Sequence, residues 1–279
     1  MQVIVAPHAG ACYGVNRALD IVNSCADDGN GPVYTLGPLI HNPQVVDELR
    51  SRGVEVAGSP EDVEPRARLV IRSHGVPPAV VERARDRGCE VIDATCPHVA
   101  KVHRAVERMT ADGRLCIVVG DVGHPEVEGI LGHAGPGTLV LTSAEDLPDE
   151  LPDRVGIVVQ TTQAPAVLAR IVDAVSQRVS DLEVADTICL ATQERQAAAA
   201  ELASQVDAMV VIGGRNSGNT RRLHEICSAS CPRSFHIERE DELVPDWFEG
   251  MGKVGITAGA STPQQRIDAV LYRIEEMTG

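Results

Sequence analysis

Short apolar runs alternate with stretches of helical spacing from one end of this chain to the other. Val/Ile/Leu-rich runs predict strands at Val3–Val5, Pro32–Thr35, Leu69–Arg72, Glu90–Asp93, Leu115–Gly120, Thr138–Leu141, Val155–Gln160, Glu183–Asp186, Met209–Ile212, Ser234–Ile237 and Lys253–Thr257. Between them apolar residues recur at three and four. Val15, Ala18, Leu19, Val22 and Cys25 form one stripe, and Val99, Val102, Val106 and Met109 form another. Pro97 suits the first turn of the second helix. The strand–helix–strand order predicts an α/β protein with mainly parallel sheets sandwiched by helices.

Three cysteines occupy the same place in that alternation. Cys12, Cys96 and Cys189 each close a strand-like run and open a helical one: VIVAPHAGAC then YGVNRALDIV, EVIDATC then PHVAKVHRAV, LEVADTIC then LATQERQAAA. They lie 84 and 93 positions apart, a spacing suited to three small α/β units of similar size. In such sheets ligands gather beyond the carboxyl ends of strands, beside helix N-termini. Three soft ligands without a fourth suggest a metal or iron–sulfur centre with one open position. Singly, each would read as a buried thiol; their shared placement favours a site. The other five cysteines lack it. Cys25, Cys89, Cys116 and Cys227 read as small core residues, and a CxxxC pair of Cys227 and Cys231 has no companion to complete a zinc site.

Other strand ends carry groups suited to an anion. These are Ile40-His41-Asn42, Arg72-Ser73-His74-Gly75, Gly123-His124-Pro125-Glu126, Gln160-Thr161-Thr162, Asn216-Ser217-Gly218-Asn219 and Ala260-Ser261-Thr262. Imidazoles, hydroxyls, amides and helix-start N–H groups can together neutralise a phosphate. Glu126 alone reads as a solvated carboxylate; beside an anion site and an open metal position it is a candidate proton donor.

Composition narrows the partners. Aromatics make up 2% of the 279 residues and the formal charge is −15, which argues against nucleic acid or an anionic membrane. No apolar run has the length to span a bilayer, and Met1 leads into a strand rather than a signal peptide. Eight cysteines in such a chain suit thiols and metal ligands in a reducing cytoplasm. There are two lysines, no GxxxxGK[ST], no GxGxxG and no CxxxCxxC; GGRNSGN at 213–219 looks like an anion-cradling turn.

GACYGVNRA, LGPLIHNPQVV, IRSHGV, DATCPHVAKVH, GHPEVEGI, QTT, DTICLAT, NSGN and GITAGAS run in order over nearly the whole chain. Together they resemble the 4-hydroxy-3-methylbut-2-enyl diphosphate reductase family. The resemblance implies three α/β domains in a pseudo-threefold trefoil: residues 14–96, 97–188, and 189–279 completed by 1–13. It implies a 4Fe–4S cluster on Cys12, Cys96 and Cys189, a diphosphate site of His41, His74, His124, Thr161, Asn216, Ser217, Asn219 and Ser261, and a catalytic set of Glu126, Thr161 and His124. The implied reaction is reductive dehydroxylation to isopentenyl and dimethylallyl diphosphate, with ferredoxin or flavodoxin as electron donor. Four positions differ from the family pattern. Ala11 replaces an aromatic whose volume Tyr13 is placed to refill, Leu190 a tyrosine, Glu194 an asparagine and Gly218 a serine. Two alternatives stay open: a paralogue acting on another allylic or phosphorylated alcohol, and a non-enzymatic iron–sulfur sensor.

Overall fold

The computed structural model describes residues 1–278. β1 (Gln2–Val5) leads to α1 (Tyr13–Asp27), followed by β2 (Val33–Leu36), α2 (Pro43–Ser51), β3 (Val54–Ala57), β4 (Arg68–Ile71), α3 (Pro78–Asp86) and β5 (Glu90–Asp93). The middle of the chain forms α4 (Pro97–Ala111), β6 (Leu115–Val119), α5 (Pro125–His133), β7 (Leu139–Leu141), β8 (Arg154–Val159), α6 (Pro165–Ser176) and β9 (Asp181–Ala185). The last part forms α7 (Leu190–Ala203), β10 (Ala208–Ile212), α8 (Gly218–Ser230), β11 (Ser234–Ile237), β12 (Lys253–Ala258) and α9 (Gln264–Thr278). No helix among the described residues is long and apolar enough to cross a membrane.

The strands form three sheets of four, ordered β3-β2-β4-β5, β7-β6-β8-β9 and β11-β10-β12-β1. Every neighbouring pair is parallel, as the alternation predicted. One winding is used each time: the second strand of a set takes one edge, the first and third lie inside, and the fourth takes the other edge. In the third sheet the fourth strand comes from the start of the chain, where Val3 pairs with Val254 and Ile4 with Gly255. Interior strands such as RLVI and AMVVI are buried along their whole length, because helices cover both faces of a parallel sheet. β3 was not foreseen. Its sequence, Val-Glu-Val-Ala, is four residues long between Gly53 and Gly58, and as an edge strand it leaves Glu55 in solvent.

Contacts divide the chain into two compact units. One comprises Met1–Tyr13, His41–Pro43 and the chain from Leu190 onward, and holds the β11-β10-β12-β1 sheet. Val210, Ile212, Val254 and Ile256 pack against Ile267, Val270 and Ile274 on one face; Met209 and Val211 pack against Ala199, Leu223 and Cys227 on the other. The second unit, Gly14–Ile40 with Gln44–Cys189, holds the other two sheets. There α4 buries Val102, Val106 and Met109 against Val118, Val127 and Val158. In α1, Val15, Ala18, Val22 and Cys25 are buried as expected, whereas Leu19 is only half-buried at the margin of the stripe.

Candidate functional site

The three cysteines share one backbone anchor. Each immediately precedes a helix, α1, α4 or α7. The N–H of Cys96 donates to the Ser73 carbonyl at 2.9 Å, that of Cys189 to Thr161 at 3.0 Å and that of Cys12 to Ala260 at 3.2 Å. Each acceptor is the second residue past the third strand of its sheet: β4, β8 and β12. None of the three is in a disulfide and all are half-buried, while the other five are buried. Soft, reachable sulfurs at helix starts are the donor type that a thiophilic metal centre takes. Among the described residues no three His, Cys, Asp or Glu side chains gather closely enough to hold a single metal ion. Burial pushes Cys227 up to about 12, with Cys231 adding to the shift, so this thiol is poorly suited to metal.

In the second unit the predicted proton donor is deeply set. Glu126, in the first turn of α5, is 2% exposed. Its Oε1 accepts the Thr161 N–H at 2.6 Å and its Oε2 accepts the Thr161 hydroxyl at 2.9 Å. His124 caps α5, its Nδ1 accepting the Glu126 N–H at 3.1 Å. With Nδ1 as acceptor, a neutral ring carries its proton on Nε2 and offers a donor there. The His74 ring lies edge-on to it, centroids 5.7 Å apart. His74, His124, Glu126 and Thr161 are thus brought together by the ends of β4, β6 and β8.

The first unit gathers the other set. The Asn42 amide donates to the Ser261 carbonyl at 2.9 Å. The His41 backbone crosses Gly214 so closely that a Cβ there would sit 2.7 Å from the His41 carbonyl oxygen. Ser217 caps α8, its oxygen accepting the Thr220 N–H at 3.3 Å and leaving its hydrogen to be donated elsewhere. Asn219 is 4% exposed, and neither its amide oxygen nor its nitrogen has a hydrogen-bond partner. A buried amide in that state carries a desolvation cost of about 1–3 kcal/mol that a polar ligand would relieve. Asn216 is exposed and Ser261 half-buried. Gly218 opens α8, so its backbone N–H is one of the helix's unbonded donors and can stand in for a hydroxyl at that position.

The repeat extends to these residues. His41, His124 and Ser217 are each the fifth residue past the first strand of a sheet; His74, Thr162 and Ser261 are each the third past the third strand. Two arginines outside the expected set brace the segments before the cysteines. Arg17 donates to the Thr95 carbonyl at 3.1 Å, one residue before Cys96, and Arg195 to the Gly10 carbonyl at 2.8 Å, two before Cys12. Only their closeness in sequence to a cysteine could have flagged them. Tyr13, placed to refill the volume at Ala11, is 67% exposed. Leu190 is 63% exposed. Glu194 lies 3.9 Å from His8, both in solvent.

Three copies of one parallel α/β winding, each offering a cysteine at a helix start and polar groups at strand ends, define a class of parallel α/β protein whose repeats each present a thiol. The chain belongs to the LytB protein family, whose model matches residues 3–275. It is 45% identical to the 4-hydroxy-3-methylbut-2-enyl diphosphate reductase of Aquifex aeolicus, over 99% of this chain and 97% of that one. It is 47% identical to the protein of the same name from Geotalea uraniireducens, over 99% and 98%. A solved structure of (E)-4-hydroxy-3-methyl-but-2-enyl diphosphate reductase, the terminal enzyme of the non-mevalonate pathway, is similar at TM-score 0.73 and 44% identity, covering 99% of this chain and all of that one. The Plasmodium falciparum E-1-hydroxy-2-methyl-but-2-enyl-4-diphosphate reductase is similar at TM-score 0.92 and 26% identity, covering 97% and 87%.

Proposed function

We propose that this chain is an oxidoreductase that removes the hydroxyl of 4-hydroxy-3-methylbut-2-enyl diphosphate, yielding isopentenyl and dimethylallyl diphosphate, the last step of the methylerythritol phosphate pathway. Near-full-length likeness to relatives of that name supports the reading. The observation that carries it is the single cysteine anchor used three times in a chain of this family. We assign Cys12, Cys96 and Cys189 as ligands of a 4Fe–4S cluster, and one domain to each sheet: 14–96, 97–188, and 189–279 with 1–13. When bound, the cluster supplies a Lewis acid at its open iron and electrons one at a time.

The chain's own residues bind and deliver protons. His41, His74, His124, Thr161, Asn216, Ser217, Asn219 and Ser261 hold the diphosphate through N–H and O–H donors. Two electrons and two protons enter, the C–O bond breaks, a C–H bond forms and water leaves. Glu126, shielded from solvent, is assigned as the proton source; the Thr161 hydroxyl, which donates to its Oε2 in the structure, relays a proton when it turns to accept from the carboxyl and donate to the departing oxygen. His124 fixes the start of the helix that carries Glu126. The electrons come from ferredoxin or flavodoxin in the cytoplasm, with no part for nucleic acid or membrane.

Glu126→Gln keeps the shape and removes the proton. It should retain iron and sulfide while losing about 100-fold or more of substrate-dependent turnover. Full turnover in this variant overturns the role of Glu126. Cluster-based signalling that survives the change, with no turnover in the parent protein, would favour the sensor reading.

A further inference from the structure

We propose that Arg72 is an anion-binding residue of this site, supplying the fixed positive charge for the substrate's diphosphate beside His74; this rests on the function proposed above. Arg72 is the first residue past β4. Its carbonyl accepts the Gly75 N–H at 3.0 Å, closing a turn that carries Arg72, the Ser73 carbonyl that anchors Cys96, and His74. The Ser73 hydroxyl and N–H both bind the Leu39 carbonyl, at 3.1 and 3.3 Å, fixing this turn against the segment that begins at Gly37.

The guanidinium lies across Gly37. A Cβ there would stand 2.5 Å from Nη1 and 3.4 Å from Cζ, and φ of +71° also reserves the position for glycine. Arg72 is half-buried, and its Nε is buried without a hydrogen-bond partner. The guanidinium makes no hydrogen bond or ion pair among the described residues. Burial draws its pKa down from the ordinary arginine value, and no neighbouring charge counters the effect. Other enclosed arginines are matched: Arg68 with Asp28 at 2.5 Å, Arg114 with Asp181 at 2.8 Å and Arg195 with the Gly10 carbonyl at 2.8 Å. In a chain of net charge −15 an unmatched, partly desolvated cation is conspicuous.

The residues assigned to the diphosphate are imidazoles, hydroxyls and amides, none with a permanent charge, whereas a diphosphate carries several negative charges. A planar guanidinium two residues before His74, on the same turn, meets that need and can bind two phosphate oxygens at once. Placing it on the turn that anchors Cys96 ties anion binding to the cysteine loop.

The test is calorimetric binding of inorganic pyrophosphate to the anaerobically reconstituted protein, with kcat and KM for the allylic diphosphate measured in parallel. Arg72→Gln should weaken pyrophosphate binding and raise KM by about 10- to 100-fold, with kcat nearly unchanged. Arg72→Lys should recover part of the loss. Arg83→Gln, which removes an exposed partner of Glu61, should change neither quantity. Equal pyrophosphate affinity in parent protein and folded Arg72→Gln, or no pyrophosphate binding by the parent, overturns the inference. Arg72-dependent pyrophosphate binding without reduction of the allylic substrate leaves the anion site standing and removes the proposed function. Normal KM in an active Arg72→Gln enzyme does the reverse.

Discussion

Acid should destabilise the fold behind the His74 turn through His103. This residue of α4 is 7% exposed, and its ring stacks on His133 with centroids 4.1 Å apart. Its Cε1 lies 2.6 Å from where a Cβ on Gly75 would sit, and its Nε2 3.4 Å from the same point on Gly129 of α5. The ring is therefore a post between the turn carrying His74 and the helix carrying Glu126. Burial first, then the adjacent His133, lowers its pKa to about 4. Glu107 and Asp93 pull the other way and Arg104 adds to the depression. The folded state thus keeps the ring neutral while the unfolded chain takes up a proton near the ordinary value of about 6.5. Stability from this site is complete above that value and is lost as the pH falls toward about 4. At roughly 1.36 kcal/mol per pH unit the loss is about 2 kcal/mol at about pH 5 and about 3 kcal/mol at full protonation. Urea unfolding of the parent and of His103→Gln, at about pH 7.5 and about pH 5, isolates the effect. Carboxylates remote from His103, and His236, whose pKa burial also lowers, act equally in both proteins and cancel in the difference. The variant should start less stable but fall by about 2 kcal/mol less on acidification. An equal fall in the two proteins would refute the assignment.

Two more expectations concern the site directly. Asn219→Ala removes a buried amide with no partner, so thermal unfolding should show the apoprotein no less stable, while KM for the diphosphate rises about 10-fold; a clear loss of apoprotein stability would mean the amide is satisfied in the fold. In cluster-free protein near neutral pH, iodoacetamide should label Cys12, Cys96 and Cys189 while Cys227 stays unmodified until the protein unfolds, as read by peptide mass spectrometry. Equal labelling of Cys227 would contradict its burial.

Much of this molecule is written in its local pattern. Runs such as LCIVV and AMVVI read as buried parallel strands, and the Val99–Val102–Val106–Met109 stripe marks the face that α4 buries. The three cysteines were legible because each stands where a strand pattern gives way to a helical one. What stayed hidden depends on neighbours distant in sequence. The carbonyls that anchor Cys12, Cys96 and Cys189 belong to Ala260, Ser73 and Thr161, and a backbone acceptor leaves no trace in residue identity. His103 interrupts the α4 stripe as a polar residue; its role emerges only where Gly75 and Gly129 make room for the ring. Arg72 stands at a polar strand end that its histidine marks in the sequence, yet its lack of a partner is a property of the folded surroundings. β3 was missed because four residues between glycines carry too little periodicity to separate an edge strand from a loop.

In the proposed function, three cysteine sulfurs hold a redox centre that acts on an allylic diphosphate. The most direct test is anaerobic oxidation of a reduced viologen by the reconstituted protein, with and without 4-hydroxy-3-methylbut-2-enyl diphosphate. Oxidation that depends on the diphosphate, and disappears together with bound iron in Cys96→Ser, is the predicted result. An intact, reducible cluster whose viologen oxidation is indifferent to the diphosphate would contradict the claim and turn attention to the alcohol that Ala11, Leu190, Glu194 and Gly218 accommodate.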